Sequence, residues 1–421
     1  MAESSTVGSS SSRRQFILLA GTGVLAGGIA GCSSVTAATQ PGLSNEDPSL
    51  VRSVHQLEAS YCFRAQRTAG VVAPSAPHGV VVGLDVRSAN RAALSELLDA
   101  LSSAIDQTMS GAPYQQREGG FPPLDTGILG PDPEGHGISV VVGFGESLFD
   151  NRFGLADHKP DELQRMPVFL NDILIDQQTS HGDLSITVNG ADQDAVEHTL
   201  RQILRAGRGM LIPKWSKSGY NSIIPDATND EAPVRNLMGF KDGSANPAAT
   251  DDVLDELVWL SPNDSQPAWA VGGTYQAIRV IRMQVEFWDR TRLNEQEVIF
   301  GRKRDSGAPL GGTAESQDPS AFEAFDLESH IGRANPRDGL AKPILRRGFS
   351  YSSGFDGNSQ LDQGLIFVSY QRSLEEGFIA AQRRLDGEVL EEYVRPIHGG
   401  LFFVPPPPPK GEYLGQQLIE M

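Results

Sequence analysis

The sequence predicts an α+β fold made of two ferredoxin-like units, each with the order β-α-β-β-α-β and an antiparallel sheet. Three observations lead to this prediction. In the first half of the chain, apolar residues alternate between strand and helix periodicity in that order. The second half repeats the order, although the two halves do not match residue by residue. The length of 421 residues is enough for two domains of ordinary size.

The first unit is the clearer of the two. Its predicted elements are a strand at 79–86, a helix at 89–109, strands at 137–145 and 183–189, a helix at 192–206 and a strand at 210–215. Leu94, Leu97, Leu98 and Leu101 have the spacing of one helical face. The strand at 183–189 (DLSITVN) alternates apolar and polar residues, which is typical of a half-buried strand.

The second unit has the same order. Its predicted elements are a strand at 276–287, a helix at 294–300, strands at 344–351 and 365–371, a helix at 374–385 and a strand at 401–404. Two such units predict a duplicated fold in which the two sheets face each other and a cofactor lies beside one of them, in a barrel-like arrangement.

Composition excludes several classes of function. The formal net charge is -18, so nucleic acid and anionic lipid would be repelled by the surface. The two cysteines, Cys32 and Cys62, form no Cys-x-x-Cys pair. Zinc ribbons, iron–sulfur clusters and thiol redox motifs are therefore excluded.

The N-terminus has the features of an export signal. Residues 12–17 (SRRQFI) contain the arginine pair Arg13 and Arg14, and an uncharged run at 16–31 follows. That run is shorter than the ~20 residues of a membrane span and fits a signal peptide. We predict a twin-arginine signal at 1–38 and a tether at 39–55, and hence a location in the periplasm or at the outer cell surface. Because this route exports folded proteins, it also favours a bound redox cofactor.

Processing at Cys32 has two interpretations. Residues 29–32 (IAGC) resemble a bacterial lipobox, in which the cysteine is lipidated after cleavage. The alternative is simple cleavage near residues 36–38. In either case Cys62 would lose its only possible partner within the chain.

The histidines favour haem over zinc. None of the eight lies three to five residues from another, so the helical zinc-binding pair is absent. Haem needs a single proximal imidazole. His330 is the best candidate, because the arginines of residues 330–337 (HIGRANPR) could pair with haem propionates. Read without other information, the segment is a histidine followed by a turn, and an ordinary surface loop is the simpler interpretation.

Two further stretches contain charged residues in unusual surroundings. In residues 239–247 (GFKDGSANP), glycines flank Asp242, which allows close approach to a flat group or forms an ordinary β-turn. In residues 344–351 (ILRRGFSY), Arg346 and Arg347 interrupt an otherwise strand-like pattern. Arginines at such a position face either solvent or a site.

Together these three stretches resemble the signature of the dye-decolorizing peroxidase family. Gly239–Gly243 is similar to its Gly-x-x-Asp-Gly motif, residues 330–337 to its proximal histidine segment, and Arg346 to its distal arginine. Further similarity covers the chain from about residue 59 to the C-terminus, through segments 122–130, 152–155, 181–183, 285–290 and 307–311. The most similar subgroup is the exported deferrochelatase/peroxidase of bacterial ferrous-iron uptake systems.

Two positions depart from the family pattern. Arg67-Thr68 stands before Ala69-Gly70 where the family usually has His-Gln. Gly332 occupies a position where a longer side chain is common.

The resemblance implies one haem b per chain, bound by a C-terminal domain at 221–421 that follows an N-terminal domain at 56–220. His330 would be the proximal iron ligand. Asp242 would take a proton from hydrogen peroxide and return it to the leaving oxygen, and Arg346 would stabilise the charge that develops. The residues that would contact the haem are His330, Gly243, Ser244, Ala245, Asn335, Pro336, Arg337 and Arg346.

Three functions are compatible with this signature. The first is a peroxidase that uses hydrogen peroxide and a reducing substrate such as a dye. The second is a deferrochelatase, which takes free haem as substrate, removes its iron and leaves the porphyrin intact, beside a ferrous-iron importer. The third is a haem-binding lipoprotein without turnover, but a carrier needs neither Asp242 nor Arg346. A homo-oligomer, in the simplest case a dimer, is expected.

Overall fold

The computed structural model describes residues 60–131, 133, 136–222, 234–323, 326–335, 339 and 341–421. The predicted signal at 1–38 and tether at 39–55 lie outside these residues, and so does Cys32. Cys62 is disulfide-bonded in the structure, so the expectation of an unpaired Cys62 applies only to a chain processed at Cys32 or cleaved near residues 36–38. Within the described ranges, no helix is long and apolar enough to cross a membrane.

The first half of the chain has the predicted order of elements. It contains α1 (Ala69–Val72), β1 (His78–Val86), α2 (Arg91–Ser110), β2 (Ser139–Gly145), β3 (Leu184–Gly190), α3 (Gln193–Ala206) and β4 (Leu211–Tyr220). Strand β4 extends five residues beyond the predicted end at 215, because its polar C-terminal part still pairs with β1 as far as Tyr220 opposite His78. This half-exposed part of the strand was not predicted, because its residues are polar and do not continue the apolar pattern.

The second half repeats the order with additional short helices. It contains α4 (Asp251–Leu257), β5 (Thr274–Met283), α5 (Val285–Trp288), α6 (Leu293–Phe300), α7 (His330–Ala334), β6 (Leu345–Arg346), β7 (Phe349–Phe355), β8 (Leu361–Gln371), α8 (Ala380–Leu385), β9 (Val394–Val404) and α9 (Gln416–Ile419). The fold class predicted from the sequence is confirmed.

Two strand predictions in this half were wrong in detail. The strand predicted at 276–287 ends at Met283, and Val285–Trp288 turns into a short helix that buries Trp288 and bonds its indole N–H to the carbonyl of Met238. The strand predicted at 344–351 is split at Arg347 and Gly348 into β6 and β7. A Cβ atom on Gly348 would lie 2.8 Å from the carbonyl oxygen of Ile366, so glycine allows the chain to run this close to β8.

The strands form two antiparallel sheets that join at both edges. The first sheet has the order β2-β3-β1-β4 and the second the order β9-β5-β8-β7. Strand β2 pairs with β9 at Phe144 and Phe403, and β4 pairs with β7 at Tyr220 and Ser350. The sheets therefore close into a barrel, and the prediction that they face each other is confirmed.

Three apolar clusters stabilise this arrangement. Helices α2 and α3 cover the outer face of the first sheet with buried residues such as Leu97 and Ile203. A second cluster, which includes Val141, Ile278 and Tyr351, contains residues of both sheets. A third cluster lies around α5 and α6 in the second half. This third cluster supports the candidate site.

Candidate active site

His330 is the first residue of helix α7. The hydroxyl of Ser329 caps this helix by accepting a hydrogen bond from the Gly332 amide at 3.2 Å. The sequence read without other information predicts a histidine followed by a turn, and that local prediction was wrong because residues His330–Ala334 form a helix. A Cβ atom on Gly332 would lie 2.2 Å from the carbonyl oxygen of Asp326. The family departure at Gly332 therefore lets α7 pack directly on the preceding chain.

The imidazole of His330 is held by a buried carboxylate. Its Nδ1 atom lies 2.8 Å from Oε2 of Glu388. Burial by itself would lower the pKa of His330, but the charge of Glu388 and this hydrogen bond outweigh it, so the pKa is raised. Because an ionised carboxylate only accepts hydrogen bonds, Nδ1 carries the proton in the neutral ring, which leaves the Nε2 lone pair free.

Asp242 lies on a loop that folds back on itself. Arg235 and Lys241 form an isolated antiparallel bridge, and the amide of Asp242 donates to the carbonyl of Val234 at 2.8 Å. Gly243 follows with a φ of 109°, a conformation that glycine adopts readily. The glycine after Asp242 is therefore required by the turn.

Charged side chains attach this loop to the segment after α6. The guanidinium of Arg235 donates to the carbonyls of Gly239, Arg304 and Asp305. The ammonium of Lys241 is 3% exposed and lies 2.9 Å from the carboxylate of Glu315. The backbone on both sides of Asp242 is thus fixed.

Asp242 and Arg346 form an ion pair. Nη1 of Arg346 lies 3.0 Å from Oδ1 of Asp242, and the two side chains are 28% and 25% exposed. Arg346 reaches this position from the end of β6, directly before the interruption at Arg347 and Gly348. Partial exposure leaves room for a small molecule at the pair.

Asn246 links these two motifs. Its side-chain carbonyl accepts from the backbone N–H of Arg346 at 3.1 Å and from its Nε at 3.3 Å. Its side-chain NH₂ donates to the carbonyl of Arg346 at 3.0 Å. The amide therefore pairs with Arg346 as a neighbouring strand would, and it also orients the guanidinium towards Asp242.

The two sides of the site share one apolar support. Phe240, two residues before Asp242, stacks on Phe300 with ring centroids 4.0 Å apart. Phe300 meets the His330 ring edge-on at 5.8 Å. The charge of Arg346 lowers the pKa of His330 and that of Asp242 raises it. His330 therefore lies close enough to Asp242 and Arg346 for both charges to act on it.

The other residues predicted to contact the haem lie on two separate segments of the chain. Gly243, Ser244 and Ala245 directly follow Asp242, and Oγ of Ser244 is buried with no hydrogen-bond partner among the described residues. Asn335 directly follows the last residue of α7, and its carbonyl accepts a hydrogen bond from Arg384 at 2.9 Å. Pro336 and Arg337 lie outside the described residues.

Comparison with known protein families identifies the chain. The model of the Dyp-type peroxidase N-terminal domain matches residues 68–221, and that of the C-terminal domain matches residues 233–408. The chain belongs to the Dyp-type peroxidase family. It is therefore a haem peroxidase, an oxidoreductase that consumes hydrogen peroxide and a reducing substrate.

Relatives and solved structures extend the match over most of the chain. A deferrochelatase of Shigella flexneri is 39% identical over 97% of both chains. A deferrochelatase of Yersinia pseudotuberculosis is 41% identical over 85% of this chain and 84% of its own. Ferric DtpA of Streptomyces lividans is 32% identical and covers 87% of this chain and 99% of its own, with a TM-score of 0.77.

The residues of this Dyp-type site fit a haem. His330 offers a ring nitrogen that is not used by the Glu388 hydrogen bond, and Asp242 with Arg346 offers a proton acceptor and a cation. Leu365 and Phe367 line the cavity beside Arg346 together with polar groups. The hydroxyl of Ser244, which has no hydrogen-bond partner within the described part of the chain, adds a further polar group two residues after Asp242.

Two important residues were missed by the sequence analysis. Glu388 lies 58 residues after His330, and no local pattern marks it as the partner of that histidine. Asn246 lies 100 residues before Arg346, and the sequence analysis assigned it no role beyond its place in the segment 239–247. The sequence alone did not indicate either contact, because both depend on long-range packing.

Proposed function

We propose that this Dyp-type peroxidase reduces hydrogen peroxide at the space between His330 and the Asp242–Arg346 pair. The observation that supports this most directly is the 3.0 Å ion pair of Asp242 and Arg346. The charges of these two residues also shift the pKa of His330. Haem, when bound, supplies the iron that exchanges electrons with peroxide. The protein supplies a ligand, a proton acceptor and a fixed positive charge.

On the proximal side, Nε2 of His330 would ligate the iron. Glu388 holds Nδ1 at 2.8 Å, which fixes the ring orientation and makes the imidazole a stronger donor. Because Glu388 is only 7% exposed, water competes little for this hydrogen bond.

On the distal side, Asp242 would move one proton. Its carboxylate would take the proton from one oxygen of hydrogen peroxide and return it to the other, which then leaves as water. Arg346 would stabilise the negative charge that develops on the leaving oxygen. Asn246 keeps Arg346 in the orientation that this role needs.

Peroxide-dependent dye oxidation tests this proposal against the carrier alternative. The holoprotein should oxidise an anthraquinone dye only when hydrogen peroxide is present. Variants Asp242→Asn and Arg346→Leu should retain haem and lose this activity. A carrier would bind haem equally well and oxidise no dye.

The second candidate is removal of iron from haem. It is favoured by the deferrochelatases that match 97% and 85% of this chain. Holoprotein would be incubated with a dye, with and without peroxide, and its porphyrin products would be analysed by mass spectrometry. Intact protoporphyrin without iron would support the deferrochelatase, whereas unchanged haem beside oxidised dye would support the peroxidase alone.

We also propose export by the twin-arginine route to the periplasm or outer cell surface, supported by Arg13, Arg14 and the uncharged run after them. Lipid anchoring at Cys32 is the alternative to simple cleavage. Cys32→Ser should release an anchored protein from membranes. Unchanged fractionation of a soluble wild type would favour cleavage.

A homodimer and association with a ferrous-iron importer complete the proposal. Their support is the resemblance to the exported iron-uptake subgroup. Sedimentation of the mature protein tests the dimer. Co-purification with a co-expressed importer tests the association.

A further inference from the structure

One surface loop exposes an unusual number of large aliphatic side chains. Within seven residues, Val168, Leu170, Ile173 and Leu174 are 77%, 71%, 70% and 54% exposed. Val389, on a neighbouring segment, is 51% exposed. We call these five residues the aliphatic patch. Isolated surface hydrophobics are ordinary, but a group of this size marks an interaction surface.

The loop is firmly held, so its exposed side chains are not the result of fraying. Phe169 is buried and meets Phe378 edge-on with ring centroids 6.1 Å apart. Asp172 pairs with Arg279, which is 1% exposed. The amide of Phe169 also donates to the Asp172 carboxylate at 2.9 Å. Anchors inside the loop thus turn the aliphatic side chains outward.

The loop crosses the segment that supports His330. The amide of Leu170 lies 3.3 Å from the carboxylate of Asp386, and the Asn171 side chain donates to the carbonyl of Val394 at 3.0 Å. Val389 lies between these contact points in the chain. It directly follows Glu388, whose carboxylate holds His330. A partner on the patch would therefore be close to the proximal side of the site.

The charges beside the patch are acidic on balance. Residues 386–392 (DGEVLEE) contain four carboxylates. Of these, Glu388 is buried against His330, and Arg383, Arg384 and Arg395 flank the segment. The whole chain has a net charge of -18. Asp172 is neutralised by Arg279 within the loop. A partner with an apolar centre and a basic rim would be complementary to this surface.

We propose that the aliphatic patch docks a small basic protein that donates single electrons to the peroxidase. This inference rests on the proposed peroxidase function. Two reduced donor molecules would each deliver one electron, and with two protons these would convert one hydrogen peroxide into two water molecules. The route into the site would pass through the segment of Val389, Glu388 and His330.

Charge makes other occupants less suitable. A second copy would place acidic segment 386–392 against its own equivalent, and an anionic lipid surface would face the same repulsion. Both alternatives are therefore outcomes that contradict the proposal.

The test uses reduced cytochrome c as the probe, because it is a small basic one-electron donor. Wild-type holoprotein with peroxide should oxidise it, and kcat/KM should fall as salt is added. The double variant Leu170→Ser, Ile173→Ser should lower kcat/KM for cytochrome c about tenfold or more. Its kcat/KM for a small dye should stay within about twofold of wild type.

Two controls make the result specific. Phe121→Ser, Phe355→Ser removes side chains that are 66% and 72% exposed on other segments, and it should leave both activities unchanged. Calorimetric titration of oxidised cytochrome c into resting protein should show binding that the patch variant weakens by a similar factor.

Several results would overturn the proposal. One is the absence of cytochrome c oxidation while the dye is oxidised; another is equal cytochrome c kinetics in wild type and patch variant. A wild-type dimer that the patch variant dissociates would assign the surface to a second copy. Binding to vesicles that the variant abolishes would assign it to lipid. Loss of dye oxidation by the wild type would instead contradict the proposed peroxidase function.

Discussion

Nδ1 of His330 and Oε2 of Glu388 are 2.8 Å apart. The histidine begins a short helix after a serine cap, and the glutamate lies in the chain before β9, so two distant segments meet at this hydrogen bond. It fixes which ring nitrogen is free to bind a metal. The chemistry of the proximal side therefore depends on packing between these segments.

Replacement of Glu388 tests this hydrogen bond. Glu388→Gln keeps the shape of the side chain and removes its charge, so haem affinity or the rate of reaction with peroxide should fall about 10–100-fold. His330→Ala should lose most of the haem. Haem titration of the apoprotein, followed by the Soret band, measures both effects. Glu392→Gln is an exposed control, and full haem occupancy in His330→Ala would contradict the ligand assignment.

Changes at Asp242 and Arg346 separate the distal roles. Asp242→Asn removes the base, and Arg346→Leu removes the charge, but neither should prevent haem binding. Loss of the base should slow the reaction with peroxide about 10²–10⁴-fold, and Arg346→Leu should be at least as impaired. Stopped-flow haem absorbance after mixing with peroxide measures the rates. Wild-type rates in both variants would contradict the assignment.

Much of the fold could be predicted because periodicity reports burial. The helix at 89–109 and the strand at 137–145 were predicted close to α2 and β2, since each buries a continuous apolar face. The polar end of β4 was missed because its pairing with β1 depends on backbone hydrogen bonds. Helix α5 was missed because its apolar residues continue the pattern of β5.

The site could be predicted only in part. His330, Asp242 and Arg346 each lie in a short motif that local sequence displays. Glu388 and Asn246 act through contacts with residues 58 and 100 positions away in the sequence. A single sequence does not show which residues so far apart along the chain meet in space. Gly332 looked like a departure from the family and is explained only by the nearby carbonyl of Asp326.

Replacement of the arginine pair tests the export signal. Arg13→Lys, Arg14→Lys keeps both charges but removes the arginine pair that the twin-arginine route reads. Folded, haem-loaded protein should then accumulate in the cytoplasm. Cell fractionation with immunoblotting measures the distribution. A single substitution to lysine elsewhere in the N-terminal region serves as control. Undiminished export of the double variant would indicate another route.

The stability of the protein should depend on pH because His181 has a lowered pKa in the folded state. Burial, followed by the charges of Arg165 and Lys214, lowers the pKa of His181 to about 4. Its pKa in the unfolded chain is ~6.5, so the unfolded state binds more protons between these values. Stability should therefore fall as pH is lowered from about 6.5 to about 4.

A matched variant isolates this contribution. His181 has a φ of 60°, and asparagine tolerates that conformation better than most residues. His181→Asn should therefore lose less stability than wild type over the same pH range. Urea unfolding at several pH values measures the difference. Parallel curves for the two proteins would show that His181 does not carry the effect.

Asn246 should orient Arg346 rather than merely stabilise the loop. Asn246→Ala leaves the backbone N–H and carbonyl of Arg346 without this partner and frees its Nε. Stability should fall by about 1–3 kcal/mol, and the reaction with peroxide should slow towards that of Arg346→Leu. Asn221→Ala is the control, because Asn221 also bonds two carbonyls, of Ala76 and Gly348, without contacting the guanidinium.

The double variant Asn246→Ala, Arg346→Leu distinguishes orientation from stability. If Asn246 acts through Arg346, the double variant should react no more slowly than Arg346→Leu alone, since the group being oriented is already absent. Urea unfolding and stopped-flow absorbance should then show that Asn221→Ala loses stability while keeping the wild-type rate. Independent, multiplicative losses in the double variant would instead mean that Asn246 affects the reaction by a route that does not involve Arg346.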